Sequence, residues 1–212
     1  MEKTQIIKAL EELHKQEKRK FVQSFDLIVT LKDVDIKAKP VDAFAVLPHS
    51  RGKKIKVCAL VGQELAEQAA KTCDFVIREN DFVAYKDKKK LKNLARSYDF
   101  FIAQVTLMPQ VAAVFGRVLG PRGRMPNPKA GCVVPPSADL AGLKERLQKT
   151  VQLKSRNSPM VQCIVGSEDM VTEQVADNVL SVYNQVSKML PNEEQNIKTV
   201  YLKKSMSNVI KV

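Results

Sequence analysis

"KIKVCALVG", residues 54–62, decides how the rest of the chain is read. A nearly continuous apolar run bounded by lysines and a glycine suits a strand covered on both faces, as in a parallel sheet. The residues that follow keep that texture. Leu65, Ala66, Ala69 and Ala70 recur at helical spacing, "DFVIR" (74–78) reads as a short strand, and "KKKLKNLARS" (88–97) as a basic helix. "DFFIA" (99–103) is a second buried strand, and Leu107, Val111, Val114 and Phe115 mark another helix. Strand alternating with helix predicts an α/β unit built on a parallel sheet.

Outward from this middle the texture changes on both sides. Residues 2–20 read as an amphipathic helix, with Ile6, Ile7, Leu10 and Leu13 on its apolar face. "SFDLIVTLK" alternates, placing Phe25, Leu27, Val29 and Leu31 on one strand face, and "AFAVLP" (43–48) gives a second strand. Past a helix marked by Leu140, Leu143 and Leu147, "TVQLKSRNSPMVQCIVG" reads as two strands around a turn at Asn157–Pro159. Val175, Val179, Val182, Val186 and Met189 then define a long helix with Thr172 as its N-cap. "IKTVYLKKS" and "VIKV" close the chain as strands. Neither flank alone has the elements for a core, so together they are expected to form a discontinuous α+β domain. That domain covers residues 1–54 and 150–212, with an α/β domain at 55–149 inserted near 50–55 and 149–154. Two crossings of one boundary make a hinge at Ser50, Gly52, Lys149 and Thr150.

Of the 212 residues 44% are hydrophobic and 27% charged, ordinary values for a globular protein. The net charge of +12 points to a polyanionic partner. Residues 55–149 carry 16 basic and 9 acidic residues, and the flanks 19 and 14, so both parts are basic. No basic stretch combines a strong amphipathic pattern with aromatics, and no apolar run approaches the length of a membrane span, which argues against a membrane partner. The N-terminus has no apolar stretch with a small-residue cleavage site, so a cytosolic protein is expected. Cys58, Cys73, Cys132 and Cys163 contain no C-x-x-C pair, and His14 and His49 stand apart, which leaves no metal site.

Enzymatic chemistry finds little footing. Gly-Lys-Ser/Thr of a phosphate-binding loop is missing, and "ALVGQELAEQ" offers one glycine where a dinucleotide fold needs three. No cofactor is expected. The lysine run "YKDKKKLKNLAR" (85–96) allows two readings: phosphate contact through Lys86, Lys88, Lys89, Lys90 and Lys92, or a solvated helix face with Leu91, Leu94 and Ala95 inward. In "GRVLGPRGRMPNPKAG" (116–131) glycines at 116, 120, 123 and 131 permit positive φ, while Pro121, Pro126 and Pro128 stiffen the loop. Arg117, Arg122, Arg124 and Lys129 would be displayed there, either to a phosphate backbone or as solubilising charge on a connector.

"LGPRGRMPNPKAG" closely resembles the signature of the ribosomal protein L-one family, in its archaeal-type form. "FVQSFDLIVTLKDVD", "VLPHSRGK", "YDFFIAQVTLMP", "VGSEDMVTEQVADNV" and "VYLKKSMSNVIKV" are similar to that family in the same order along nearly the whole chain. The resemblance implies a first domain holding both termini, interrupted by a smaller Rossmann-like domain. It also implies a non-enzymatic protein of the large-subunit stalk, monomeric off the ribosome. Its implied partners are large-subunit ribosomal RNA, exit-site tRNA and its own messenger RNA. Matched by position, RNA contacts fall on Gln23, Ser24 and Phe25, on Lys32 and Lys37, on Lys154 and Arg156, and on Ser205, Met206 and Ser207. Phe25 has a second reading as core, and the two serines as a strand end. Arg117, Arg122, Arg124 and Lys129 would give secondary RNA or interdomain contact. Two departures stand out: Ser207 and Ser50 replace family glycines. A positive φ at either would cost on the order of 1 kcal/mol.

Overall fold

Strand β1 (Ser24–Leu31) alternates as its sequence demands, with Phe25, Leu27, Val29 and Leu31 buried and the residues between them half-buried. The computed structural model describes residues 1–35, 40–155 and 158–212, with Lys86 described by its backbone alone. The chain divides into two units, Met1–Lys53 with Lys149–Val212, and Lys54–Gln148.

In the first unit, β1 is flanked by β8 (Met160–Ser167) and β9 (Ile197–Lys204), with β10 (Ile210–Lys211) beyond, in an antiparallel sheet of order β10-β9-β1-β8. Helices α1 (Lys3–Lys15) and α6 (Thr172–Met189) bury Ile6, Leu10, Leu13, Val175, Val179, Val182 and Val186 in the core that also takes the inward face of β1. A separate ribbon pairs β2 (Asp42–Val46) with β7 (Thr150–Lys154). So β7 and β8, adjacent in sequence, pair with β2 and β1 rather than with each other. Asn157 of their connecting turn lies outside the described residues.

The second unit is a parallel sheet of order β4-β3-β5-β6, from β4 (Phe75–Arg78), β3 (Val57–Val61), β5 (Phe100–Gln104) and β6 (Val133–Val134). Every residue of β3 is buried, as a strand with two covered faces requires. Helices α3 (Lys88–Ser97) and α4 (Met108–Leu119) contribute Leu91, Leu94, Val111 and Phe115 to a core with Cys58, Leu60 and Phe101. Helices α2 (Gln63–Thr72) and α5 (Leu140–Gln148) bury Leu65, Ala69, Leu140 and Leu147. The fold class is therefore α/β with an α+β first unit.

Several expectations need correction. Helix α1 stops at Lys15, not 20, because positions 16, 17 and 20 offer Gln, Glu and Lys where the apolar face would continue. Val171, in extended conformation, caps α6, and Thr172 is already helical. Met189 is 43% exposed, and Leu190 takes the buried place at that helix end. Ala70 is exposed. The glycine-proline stretch begins inside α4, which contains Gly116, and of its four glycines only Gly123 and Gly131 have positive φ. Ser50 and Ser207 carry no strain of this kind, since the positive-φ non-glycine residues among those described are Asp33 and Glu193.

Candidate nucleic-acid interface

Where β9 leaves the sheet, alternation carries Val200, Leu202 and then Lys204 inward. A lysine with no exposed side-chain area must find a counter-charge, and Nζ of Lys204 lies 3.2 Å from Oε1 of Glu168, itself only 15% exposed. Burial alone would raise the Glu168 carboxyl. The hydrogen bonds from Lys204 and from the Gln23 amide, with the Lys204 charge, outweigh it and hold the carboxyl below its usual range. Gln23 is 1% exposed; its carbonyl accepts from the Glu168 amide at 2.9 Å, and its Oε1 accepts from the Met206 amide at 3.1 Å. Gln23, Glu168, Lys204 and the Met206 backbone thus form a closed circuit beneath the turn that follows β9.

That turn is fastened on each side. The Ser205 amide donates to the Ser24 carbonyl at 3.1 Å, and the Ser24 amide donates to Oγ of Ser205 at 3.3 Å, extending the β1–β9 ladder by one step. The Ser207 amide donates to the Lys204 carbonyl at 3.2 Å, while Oγ of Ser207 accepts from the Lys204 amide at 2.8 Å. A glycine could make only the first of these two bonds. What the turn presents outward is the Met206 side chain, 63% exposed.

Beside it runs the segment between α1 and β1. Lys18, Arg19 and Lys20 are exposed there, with Phe21 53% and Val22 56% exposed, and Arg19 shares with Met206 the lining of a shallow pocket. Reading residues 16–20 as helix hid this arm. The absence of an apolar residue at positions 16, 17 and 20 was the signal that could have revealed it.

The expected RNA contacts do not all gather at this turn. Phe25 is fully buried and packs edge-on against His14, centroids 5.4 Å apart, so it is a core residue with no surface to offer. Gln23 holds the turn from below. Lys32 is exposed but lies past the other end of β1, about 26 Å from Ser24 at the rise of an extended strand. Lys154 ends β7 and pairs with Asp42 at 3.6 Å, leading into the turn whose Pro159 carbonyl accepts from the Leu31 amide at 2.7 Å. That places Lys32 and Pro159 at a second locus, apart from Met206. Lys37 and Arg156 lie outside the described residues.

In the second unit, Arg122 donates to the Lys92 carbonyl at 3.0 Å. Arg124 donates to the carbonyls of Ala95, at 2.6 Å, and Tyr98, and sits 3.8 Å from Asp99. Helix ends leave carbonyls without partners, and a cation there is favourable, so Arg124 secures the end of α3, while Arg122 ties the loop to the middle of that helix. Arg117 is exposed on the last turn of α4, and Lys129 is exposed on the short helical turn Pro128–Ala130.

Among the residues expected at a hinge, Oγ of Ser50 accepts from the Gly52 amide at 3.3 Å, and Thr150 is buried opposite Val46 in the β2–β7 ribbon. The Lys149 carbonyl accepts from the Leu47 amide at 2.8 Å. On the other side of the crossings, the Gln148 side chain binds both the amide and the carbonyl of Ile55, at 2.9 and 2.8 Å. The four cysteines are free thiols. Burial pushes Cys132 up to about 11, against a bond from the Asn127 backbone and the Arg146 charge, and pushes Cys163 up to about 12 with Asp26 adding to it. Neither is a nucleophile at neutral pH.

The sequence profile of the "Ribosomal protein L1p/L10e family" matches residues 13–208. Among curated relatives, "Large ribosomal subunit protein uL1" of Methanocaldococcus jannaschii is 40% identical, the match spanning all of this chain and 96% of the relative. The protein of the same name from Nanoarchaeum equitans is 40% identical over 92% of this chain and 93% of its own length. That from Thermococcus kodakarensis is 37% identical over the whole chain and 98% of the relative.

Proposed function

Because this chain belongs to the ribosomal protein L1p/L10e family, we propose that it is a structural, non-catalytic component of the large ribosomal subunit in the cytoplasm. It binds folded large-subunit ribosomal RNA through the end of the first unit that carries Met206. The observation that carries this reading is the turn itself: an exposed methionine on a backbone fixed by a buried ion pair, beside Lys18, Arg19 and Lys20. Such a surface suits the wide, shallow minor groove of an RNA helix. There, serine hydroxyls and backbone groups reach 2′-OH and phosphate, and an apolar side chain covers ribose. The exposed cations supply a salt-dependent share of the affinity.

The second unit serves the same subunit by contacting exit-site tRNA, with Arg117 and Lys129 as its exposed cations from the glycine-proline stretch. Arg122 and Arg124 act there mainly by holding α3. The paired crossings at 53–54 and 148–149 are the hinge about which the units turn. A messenger RNA that copies the ribosomal RNA structure would compete for the Met206 surface and allow the protein to repress its own synthesis.

Cosedimentation tests the role. Added to large subunits stripped of this component, the chain should sediment with them at about one copy per particle. It should remain there at salt that removes it from small subunits. Equal, fully salt-labile association with both subunits would contradict the reading.

A further inference from the structure

The lysine-rich helix α3 and the aromatic residues near it have no part in the surface described above, yet they meet at one cleft of the second unit. The cleft, about 610 Å³, runs along β4, the edge strand of the parallel sheet, with Phe75 and its two successors on one wall. Lys90, Asn93 and Ser97 of α3 form the other wall. The spacing of these three is three and four residues, so a single face of the helix looks into the cleft. At the cleft Phe75, 37% exposed, stacks on Tyr98 with ring centroids 5.6 Å apart and planes 20° apart. Lys88, Lys89 and Lys92 are exposed on the same helix.

A half-exposed aromatic stack in a cleft that also holds Lys90 offers a nucleotide what it needs at both ends, a flat face for the base and a cation for the phosphate. A duplex keeps its base faces internal, so only unpaired nucleotides can use the rings. An acidic peptide would also meet Lys90, but its carboxylates make no use of the flat Phe75–Tyr98 stack, and Asp81 lines the same cleft. That carboxylate repels acidic side chains, whereas it can accept hydrogen bonds from base amino groups. We propose that this cleft binds single-stranded RNA, with a base stacked on the Phe75–Tyr98 pair and its phosphate at Lys90. The site is independent of the Met206 surface.

The full chain is irradiated with a ten-nucleotide single strand containing 5-iodouridine and then cleaved after Lys and Arg. Adducts should form on the Thr72–Arg78 peptide, in which Phe75 is the aromatic residue, or on the peptide beginning at Ser97, which carries Tyr98. Phe75→Leu, which keeps an apolar side chain on β4, should lower single-strand affinity about tenfold, within the range for one lost base stack. Lys90→Gln, at an exposed position, should weaken it and flatten the salt dependence without altering unfolding. Excess poly-glutamate should leave the adducts in place. The proposal is overturned if adducts appear only on first-unit peptides such as Phe21–Lys32. It is also overturned if poly-glutamate abolishes them while Phe75→Leu binds like the parent chain, which would mark an acidic-peptide groove.

Discussion

Lys204→Met should lower the free energy of unfolding by about 3–5 kcal/mol, the usual cost of removing one partner from a buried ion pair. The reason is Glu168, left 15% exposed with its ion-pair partner gone and the Gln23 amide, at 3.4 Å, as its remaining backbone hydrogen bond among the described residues. A second change separates charge from packing. In Lys204→Met with Glu168→Gln no charge is buried and the acceptor for Gln23 survives, so most of the loss should be regained. The pH dependence has a definite sign. With its carboxyl held low in the folded state, Glu168 contributes stability that is fully present above its ordinary value of about 4.5. The contribution is lost as pH falls through the folded value. The deficit of Lys204→Met should therefore shrink below pH 4.5, as measured by urea unfolding at pH 7 and pH 3.5.

Gly52→Ala is the second large effect, a loss of about 3 kcal/mol. Gly52 has φ of +81°, and a Cβ built there falls 2.3 Å from Cβ of Ser167. Left-handed backbone with a side chain costs about 1–2 kcal/mol, and the overlap with a buried residue supplies the rest. Adding Ser167→Gly should recover the steric part and leave the backbone part. Because Ser167 precedes Glu168, the displacement should also reach the circuit beneath Met206. Gly52→Ala should then weaken RNA binding, though Gly52 itself is far in sequence from the turn.

Much of the fold was legible because it follows from periodicity. The alternation from Phe25 to Leu31, the unbroken run Val57–Val61 and the basic helix Lys88–Ser97 each appear where the pattern puts them. Features set by contact between distant residues were harder to read. Lys204 continues the inward series Val200, Leu202, so its burial was readable, but nothing in the pattern names Glu168 as its partner. Gln23 continues the inward series of Phe25, Leu27, Val29 and Leu31 one step ahead of β1, so its burial too was readable, but not its bond to the Met206 amide, 183 positions away. The error over Phe25 has a different origin, since its alternation already assigned it to the core and matching by position overrode that. Matching by position put Ser24 and Lys32 on one RNA surface, whereas Ser24 opens β1 and Lys32 follows it, so the length of an eight-residue strand separates them. Arg122 and Arg124 looked like displayed charge because the carbonyls of α3 that they meet are invisible until the chain folds back on that helix.

The central claim is that Met206, on its fixed turn, recognises folded ribosomal RNA. Its most direct test is a salt titration of binding to the stalk ribosomal RNA fragment and to a random duplex of equal length, with the parent chain and Met206→Ala. The parent should prefer the fragment even at high salt. Met206→Ala should lose about ten- to a hundredfold on the fragment alone, as expected for burial of one methionine side chain. Its duplex binding and unfolding should be unchanged, because the side chain is 63% exposed and the backbone bond to Gln23 does not depend on it. Equal binding of both RNAs, unaffected by Met206→Ala and abolished by neutralising Lys18, Arg19 and Lys20, would contradict the account.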